Sequence, residues 1–281
     1  MRRPCSCTSP VGKRMMKDNR QRRQIPKEKI IPIKRDIKKI DFNKPYKFIY
    51  FDWWFELLTM PIYLFCQLLT ALCALYFRLK VSGRENLGVL REKGCIVIAN
   101  HCHYFDTIFV NYTLFPQYVY TSVAQRNYEV PYVRRLLRFL RAFPIPKGTQ
   151  GLKKIIKPVG EVLRRGRHVL MMPEGDLCLM SQEIFHFKPG AFYLAYHYQA
   201  PVLPIAYVLS PRGKNDVALK PGHLRFHQVI GAPLYPPPRT ADGTTPQKEL
   251  DAMMDRAAQW MEDTISRYQT VQSSQKETEN V

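Results

Sequence analysis

The chain has 281 residues, 46% of them hydrophobic, with a formal net charge of +20 and seven cysteines. That apolar share supplies an ample core, enough for one large domain with an appendage or for two small domains, and excludes a chain that is disordered throughout. The odd cysteine count, with no Cys-x-x-Cys pair and several members inside apolar runs, argues against a disulfide framework and for reduced thiols in a cytoplasmic compartment.

The charge is uneven. Residues 1–48 carry 16 Lys and Arg against 4 Asp and Glu, a net +12; the other 233 residues hold 27 against 19, a net +8. Residues 1–45 are polar, basic and proline-punctuated, and are expected to form a disordered tail that could meet nucleic acid, an anionic membrane surface or only solvent. Within it, Cys5-Ser6-Cys7 is a poor metal motif. Residues 46–80 follow as a membrane-associating segment. Tyr46, Phe48, Tyr50, Phe51, Trp53, Trp54 and Phe55 make an aromatic belt of the kind that favours the membrane interface. Residues 57–77 are uncharged, and as one helix would reach ~31 Å at about 1.5 Å per residue, enough to cross a hydrocarbon core. Both flanks are positive and Pro61 interrupts the run. The expectation is therefore an in-plane or re-entrant pair of helices with both ends on the cytoplasmic side, rather than a span. The apolar stretch begins too late for a secretory signal.

From residue 81 to 268 strands and helices alternate. Strands are expected at 95–99, 118–123, 168–172, 202–208 and 223–229. Helices are expected at 131–141, 151–165, 190–198 and about 246–268. In the first of these helices, Val133, Leu136, Leu137 and Leu140 lie on one face and Arg134, Arg135, Arg138 and Arg141 on the other. Pro158 sits inside the second. Such alternation predicts a single α/β domain whose mixed, largely parallel sheet is flanked by helices. Residues 269–281 are read as a polar, frayed tail.

The chemistry concentrates where the strand at 95–99 runs into Asn100-His101-Cys102-His103-Tyr104-Phe105-Asp106. A histidine at a strand end, with an aspartate five positions on, has the parts of a general base and its orienting carboxylate. The imidazole titrates near working pH, at about 6.5. The alternative for Asp106 is to cap a helix beginning near Thr107. His103 would share the face of His101 in extended chain and line the pocket or pack. Cys102 alternates away from that face and carries little weight as a nucleophile.

His101-x4-Asp106 after an apolar strand resembles the glycerophospholipid acyltransferases, the group that includes lysophosphatidic acid acyltransferase. Four further blocks follow in that family's order: Arg141-Ala142-Phe143-Pro144-Ile145-Pro146-Lys147-Gly148, Met172-Pro173-Glu174-Gly175, Phe187-Lys188-Pro189-Gly190-Ala191 and Val202-Leu203-Pro204-Ile205. The resemblance implies that His101, with Asp106, deprotonates a lysophospholipid hydroxyl, most simply that of 1-acylglycerol-3-phosphate. The oxygen would then attack the thioester of acyl-coenzyme A or acyl carrier protein, in phospholipid biosynthesis or remodelling at the cytoplasmic face of a membrane. It implies no metal or other cofactor. Lys147 is expected to hold a phosphate, Glu174 the glycerol hydroxyls, and Gly175 a tight turn. Two positions depart from the pattern: Lys147 stands where Arg is usual, and Asp176 follows Glu174-Gly175 where Thr is usual. Asp176 would repel a phosphate if it pointed inward.

Residues 132–167 hold eleven basic residues and one acid, Glu161. Such a patch would attract coenzyme A, acyl carrier protein or lipid headgroups. Two rivals are a metal-dependent hydrolase built on His101 and His103, and a nucleic-acid-binding protein using the tail. In the first, Phe105 sits where the related motif needs Asp. The second leaves the uncharged segment and the ordered blocks unexplained, so no specific nucleic-acid partner is expected.

Overall fold

The computed structural model describes residues 18–26, 40–41, 46–146, 149–213, 219–220, 222–240 and 244–279. Lys147, Gly148, Cys5 and Cys7, and most of the basic tail, lie outside the described residues.

The frame is one seven-stranded sheet in the order β1-β7-β6-β2-β5-β3-β4. Its strands are β1 (Lys80–Ser82), β2 (Ile96–Ala99), β3 (Val119–Ala124), β4 (Ala142–Ile145), β5 (His168–Met171), β6 (Val202–Pro211) and β7 (Leu224–Ile230). Every pairing is parallel except β6 with β7. The central strands β2 and β5 are buried at every residue, as expected when helices cover both faces. The five anticipated strands are all present. The two that were not anticipated, β1 and β4, are the sheet's edges. They are short, and Pro144 in β4 is tolerated because an edge strand leaves one row of N–H groups unpaired.

Among the described residues eight α-helices accompany the sheet: α1 (Trp53–Tyr76), α2 (Val89–Glu92), α3 (Asp106–Leu114), α4 (Gln125–Tyr128), α5 (Pro131–Phe139), α6 (Thr149–Arg164), α7 (Gly190–Tyr198) and α8 (Gln247–Glu279). One core packs residues of α6, α7 and α8 against the sheet, among them Val159, Phe192, Met253 and Ala257. The other packs α2, α3 and the C-terminal end of α1, including Leu90, Phe109 and Phe77. The result is helix on sheet on helix.

Four expectations need correction. First, α1 is one helix and not a pair. It runs through Pro61, whose cost is confined to one lost N–H bond within an otherwise apolar run. Second, α8 continues to Glu279 where a frayed tail was expected from 269. Third, Val133 and Leu136 of α5 remain exposed, so the apolar face of that helix is only partly covered. Fourth, residues 18–26, assigned to a disordered tail, are docked: Asn19–Gln21 forms a 3-10 turn with Asn19 buried.

The surface of α1 is inverted. Its buried residues are Thr59, Tyr63, Thr70 and Ala74, whereas Leu57, Leu68, Leu72 and Leu75 are 58–77% exposed. A helix on a water-facing surface has the opposite pattern. The inward face is fastened along its length. Arg167 makes a two-pronged ion pair with Glu56 and donates to the Tyr120 hydroxyl at 2.7 Å. Arg141 lies between the rings of Tyr63 and Tyr118, 4.1 Å from each centroid. Gln67 donates to the Asn111 carbonyl on α3 at 3.4 Å.

Candidate active site

The central strands end together, and the residues just beyond their carboxyl ends form the site, the usual position in open α/β sheets. Past β2 come Asn100 and His101; past β5, Glu174 and Gly175; past β3, Arg126.

Asn100 locks its end of β2 sideways onto β6. Its side chain accepts from the Tyr207 N–H at 2.7 Å and donates to the Tyr207 carbonyl at 3.3 Å. His101 follows, and its Nδ1 lies 2.9 Å from Oδ2 of Asp106. The carboxylate has no hydrogen to give, so Nδ1–H is the donor. The lone pair is then left on Nε2. His101 is partly exposed and Asp106 fully buried, so the imidazole reaches solvent while its partner does not.

Asp106 is the first residue of α3, and that helix makes no side-chain cap hydrogen bond. Its carboxylate turns back instead, accepting from the N–H groups of Cys102 at 2.7 Å and His103 at 2.8 Å. The alternative, a capping role, is thus replaced by one that folds the 101–106 loop around a single oxygen. Beneath it, the Tyr207 hydroxyl donates to the Asp106 carbonyl at 2.6 Å and accepts from Gln228 at 2.8 Å. Thr113 of α3 closes that buried network on Gln228.

Glu174 is buried, 5% exposed, and Oε2 lies 3.5 Å from the His101 N–H. Burial pushes its pKa up to about 8, while the His101 and Phe185 N–H groups act to lower it and the nearby Asp106 charge raises it. Its carboxyl therefore sits under the His101 backbone rather than open to glycerol hydroxyls. Gly175 takes φ +81°, and a Cβ there would meet Lys188 Nζ at 2.1 Å. The positive φ is what favours glycine; the Lys188 side chain, 59% exposed, could swing aside. The next residue, Asp176, is paired with Arg126 at 3.0 Å and Lys188 at 3.7 Å, so its charge is neutralised within the fold. The turn then returns to His101, whose carbonyl accepts from the Cys178 N–H at 3.2 Å.

The structure thus brings His101, Asp106, Glu174 and Gly175 together. It separates His103, which is 2% exposed and packed against Phe77, Phe105 and Phe226, so it lines no open pocket. The two histidines diverge and do not form a shared ligand set. Among the described residues no three His, Cys, Asp or Glu side chains group as metal ligands. Cys102 is buried, which raises its thiol pKa well above the ordinary value and disfavours a thiolate. Sequence reasoning missed Arg126, Asn100, Tyr207 and Gln228. Arg126 had a signal, since it follows β3 much as Glu174 follows β5. The buried polar network had none, because its members are 128 positions apart in sequence, from Asn100 to Gln228.

Comparison with known proteins finds one family model and relatives of one named kind. Residues 78–208 match the family model described as Acyltransferase, a span that contains all five sequence blocks. The 1-acyl-sn-glycerol-3-phosphate acyltransferase of Pseudomonas aeruginosa is 28% identical over 199 residues, covering 69% of this chain and 72% of that protein. Among solved structures, the 1-acyl-sn-glycerophosphate (LPA) acyltransferase PlsC of Thermotoga maritima matches with a TM-score of 0.53 at 17% identity. That match covers 74% of this chain and 82% of the other, and it bears on the fold.

Proposed function

We propose that this chain, similar over residues 78–208 to the Acyltransferase family model, is an acyltransferase of the 1-acylglycerol-3-phosphate O-acyltransferase-like kind that transfers a fatty acyl group from a thioester to a lysophospholipid hydroxyl at a membrane surface. The acceptor named by both relatives, 1-acylglycerol-3-phosphate, is the first choice. The donor is acyl-coenzyme A or acyl carrier protein, and the product enters phospholipid synthesis or remodelling.

The single observation that carries the reading is the 2.9 Å contact from His101 Nδ1 to a buried carboxylate, on a strand end inside the matched family span. Nε2 of His101 takes the proton of the acceptor hydroxyl as its oxygen attacks the thioester carbonyl. The tetrahedral intermediate collapses by breaking the C–S bond, and the leaving thiolate recovers the proton from the imidazolium. Asp106 keeps the ring in the correct tautomer and stabilises its charged form. Glu174 supports the His101 backbone, and Gly175 shapes the turn. Arg126 and Lys188, with Lys147 by family resemblance, supply cationic groups for the acceptor phosphate.

The inverted face of α1 supports membrane association. Because its inward face is bound to the domain from Glu56 to Phe77, α1 is read as lying in the interface plane on the cytoplasmic side, with its leucines in the acyl region. The deciding experiment offers a panel of lysolipid acceptors with one labelled acyl thioester. Wild-type protein is expected to prefer lysophosphatidic acid, and His101→Ala to abolish transfer while retaining the folded circular-dichroism spectrum. Near-normal turnover by His101→Ala would end this reading.

A further inference from the structure

The segment Asp18–Pro26 precedes the membrane-facing helix in sequence and belongs to none of the five blocks, yet two of its residues, Asn19 and Arg22, are buried in the domain. Asn19 is 1% exposed. Its side chain acts as a substitute backbone strand: Nδ2 donates to the Phe187 carbonyl at 2.9 Å, and Oδ1 accepts from the Phe187 N–H at 2.7 Å. Its own N–H donates to Asp255 on α8 at 2.6 Å. The neighbouring His186 is held at two points, its N–H donating to the Arg23 carbonyl and its Nδ1 lying 3.0 Å from the Asn19 carbonyl oxygen. Arg22, its side chain 3% exposed, anchors the segment on α8 through Asp255 and Glu262.

The stretch so gripped, Phe185–Lys188, leans with its other side on the candidate site. The Phe185 N–H acts to lower the pKa of the Glu174 carboxyl. The Lys188 N–H donates to the Pro173 carbonyl at 2.7 Å. The Lys188 side chain lies across Gly175 and reaches Asp176. One strand of chain therefore has the N-terminal segment on one side and the Glu174–Asp176 turn on the other. Buried, fully paired amide contacts of this kind fix position rather than merely add affinity, since leaving either partner unpaired is costly.

We propose that the Asp18–Pro26 strap is a working part of the acyl-acceptor site, with Asn19 a positioning residue that holds Phe185–Lys188, and through it Lys188 and the Glu174–Asp176 turn, in the geometry that receives the acceptor headgroup. This rests on the acyl-transfer reading above. The strap touches neither His101 nor Asp106 directly, so its removal should weaken acceptor binding before it alters donor use.

The test compares full-length wild type, Asn19→Ala, Asn19→Asp and, as a control outside the strap, Gln247→Ala in steady-state transfer, varying acceptor and donor separately. Asn19→Ala is expected to raise the acceptor KM about tenfold, the effect of losing a buried paired contact, with donor KM unchanged. Asn19→Asp keeps a partner for the Phe187 N–H but loses the donor to its carbonyl, and should give a smaller rise. Gln247, exposed at the start of α8 and donating to Asp251 at 2.8 Å, lies outside the strap, and Gln247→Ala is expected to leave both KM values unchanged. Amide exchange at 185–188 should quicken in Asn19→Ala. An acceptor KM equal to wild type in the folded Asn19 variants, whatever happens to melting temperature, overturns the proposal. If Asn19→Ala does not fold, Asn19→Asp is judged by the same criterion. Failure of wild type to acylate any lysolipid would instead strike the underlying reading.

Discussion

One carboxylate oxygen organises the candidate site. Oδ2 of Asp106 receives the imidazole and two backbone amides, so ring orientation and loop shape are fixed together. The main-chain position of Asp106 depends in turn on the Tyr207 hydroxyl. Tyr207→Phe would leave the Asp106 carbonyl and the Gln228 amide without their partner in a dry interior. The expected cost is about 1–3 kcal/mol per unpaired group, seen as a lower denaturation midpoint. A fall in kcat with unchanged acceptor KM should accompany it, because the base and not the headgroup site is displaced. Unaltered kcat in a destabilised Tyr207→Phe protein would show that the network supports the fold alone. Here the sequence identified the two ends of the dyad from strand-then-loop spacing. It could not identify Tyr207, which read only as one more aromatic residue in a core strand.

At the scale of elements, α1 carries the clearest contradiction with an aqueous surface. Its outward leucines are exposed while Thr59 and Thr70 are buried. Replacing Leu68 and Leu72 together by Glu is expected to abolish co-sedimentation with anionic lipid vesicles, at little cost to the melting temperature in detergent, since neither side chain packs inward. Retained vesicle binding would mean that another surface carries the attachment. Arg167→Ala makes the complementary prediction. It removes the Glu56 pair and the Tyr120 contact, and should loosen the first turns of α1, read as faster amide exchange there. The sequence marked this segment as apolar and long enough to matter. That it is one helix, and that it is strapped to the domain along one side, depended on contacts with residues roughly fifty to a hundred positions away.

For the molecule as a whole, three titrating groups, His168 and Glu174 buried and His227 partly so, tilt stability across the neutral pH range. His168 and His227 are held by burial down to about 4. Each therefore costs stability as pH falls from its ordinary 6.5 toward 4, where the unfolded chain binds the proton and the fold does not. Glu174 has the opposite sign. Its folded pKa of about 8 against an ordinary 4.5 means that stability is lost as pH rises between those values. With two groups rising and one falling below 6.5, and only Glu174 acting above it, the stability maximum is expected near pH 6.5. Glu174→Gln should flatten the decline between 6.5 and 8 in thermal denaturation; an unchanged decline would assign it to other groups. The sequence by itself determined the α/β class, five of the strands, the His101–Asp106 dyad and the order of the blocks, because apolar periodicity and short-range spacing are local properties of a chain. Tertiary structure alone decided that Asp176 is neutralised by Arg126, that Glu174 lies under His101, that His103 packs away from the site, and that Asn19 reaches across to Phe187. Each of those depends on which distant residue fills the neighbouring space, and burial makes that neighbour decide whether a charge or an amide is satisfied.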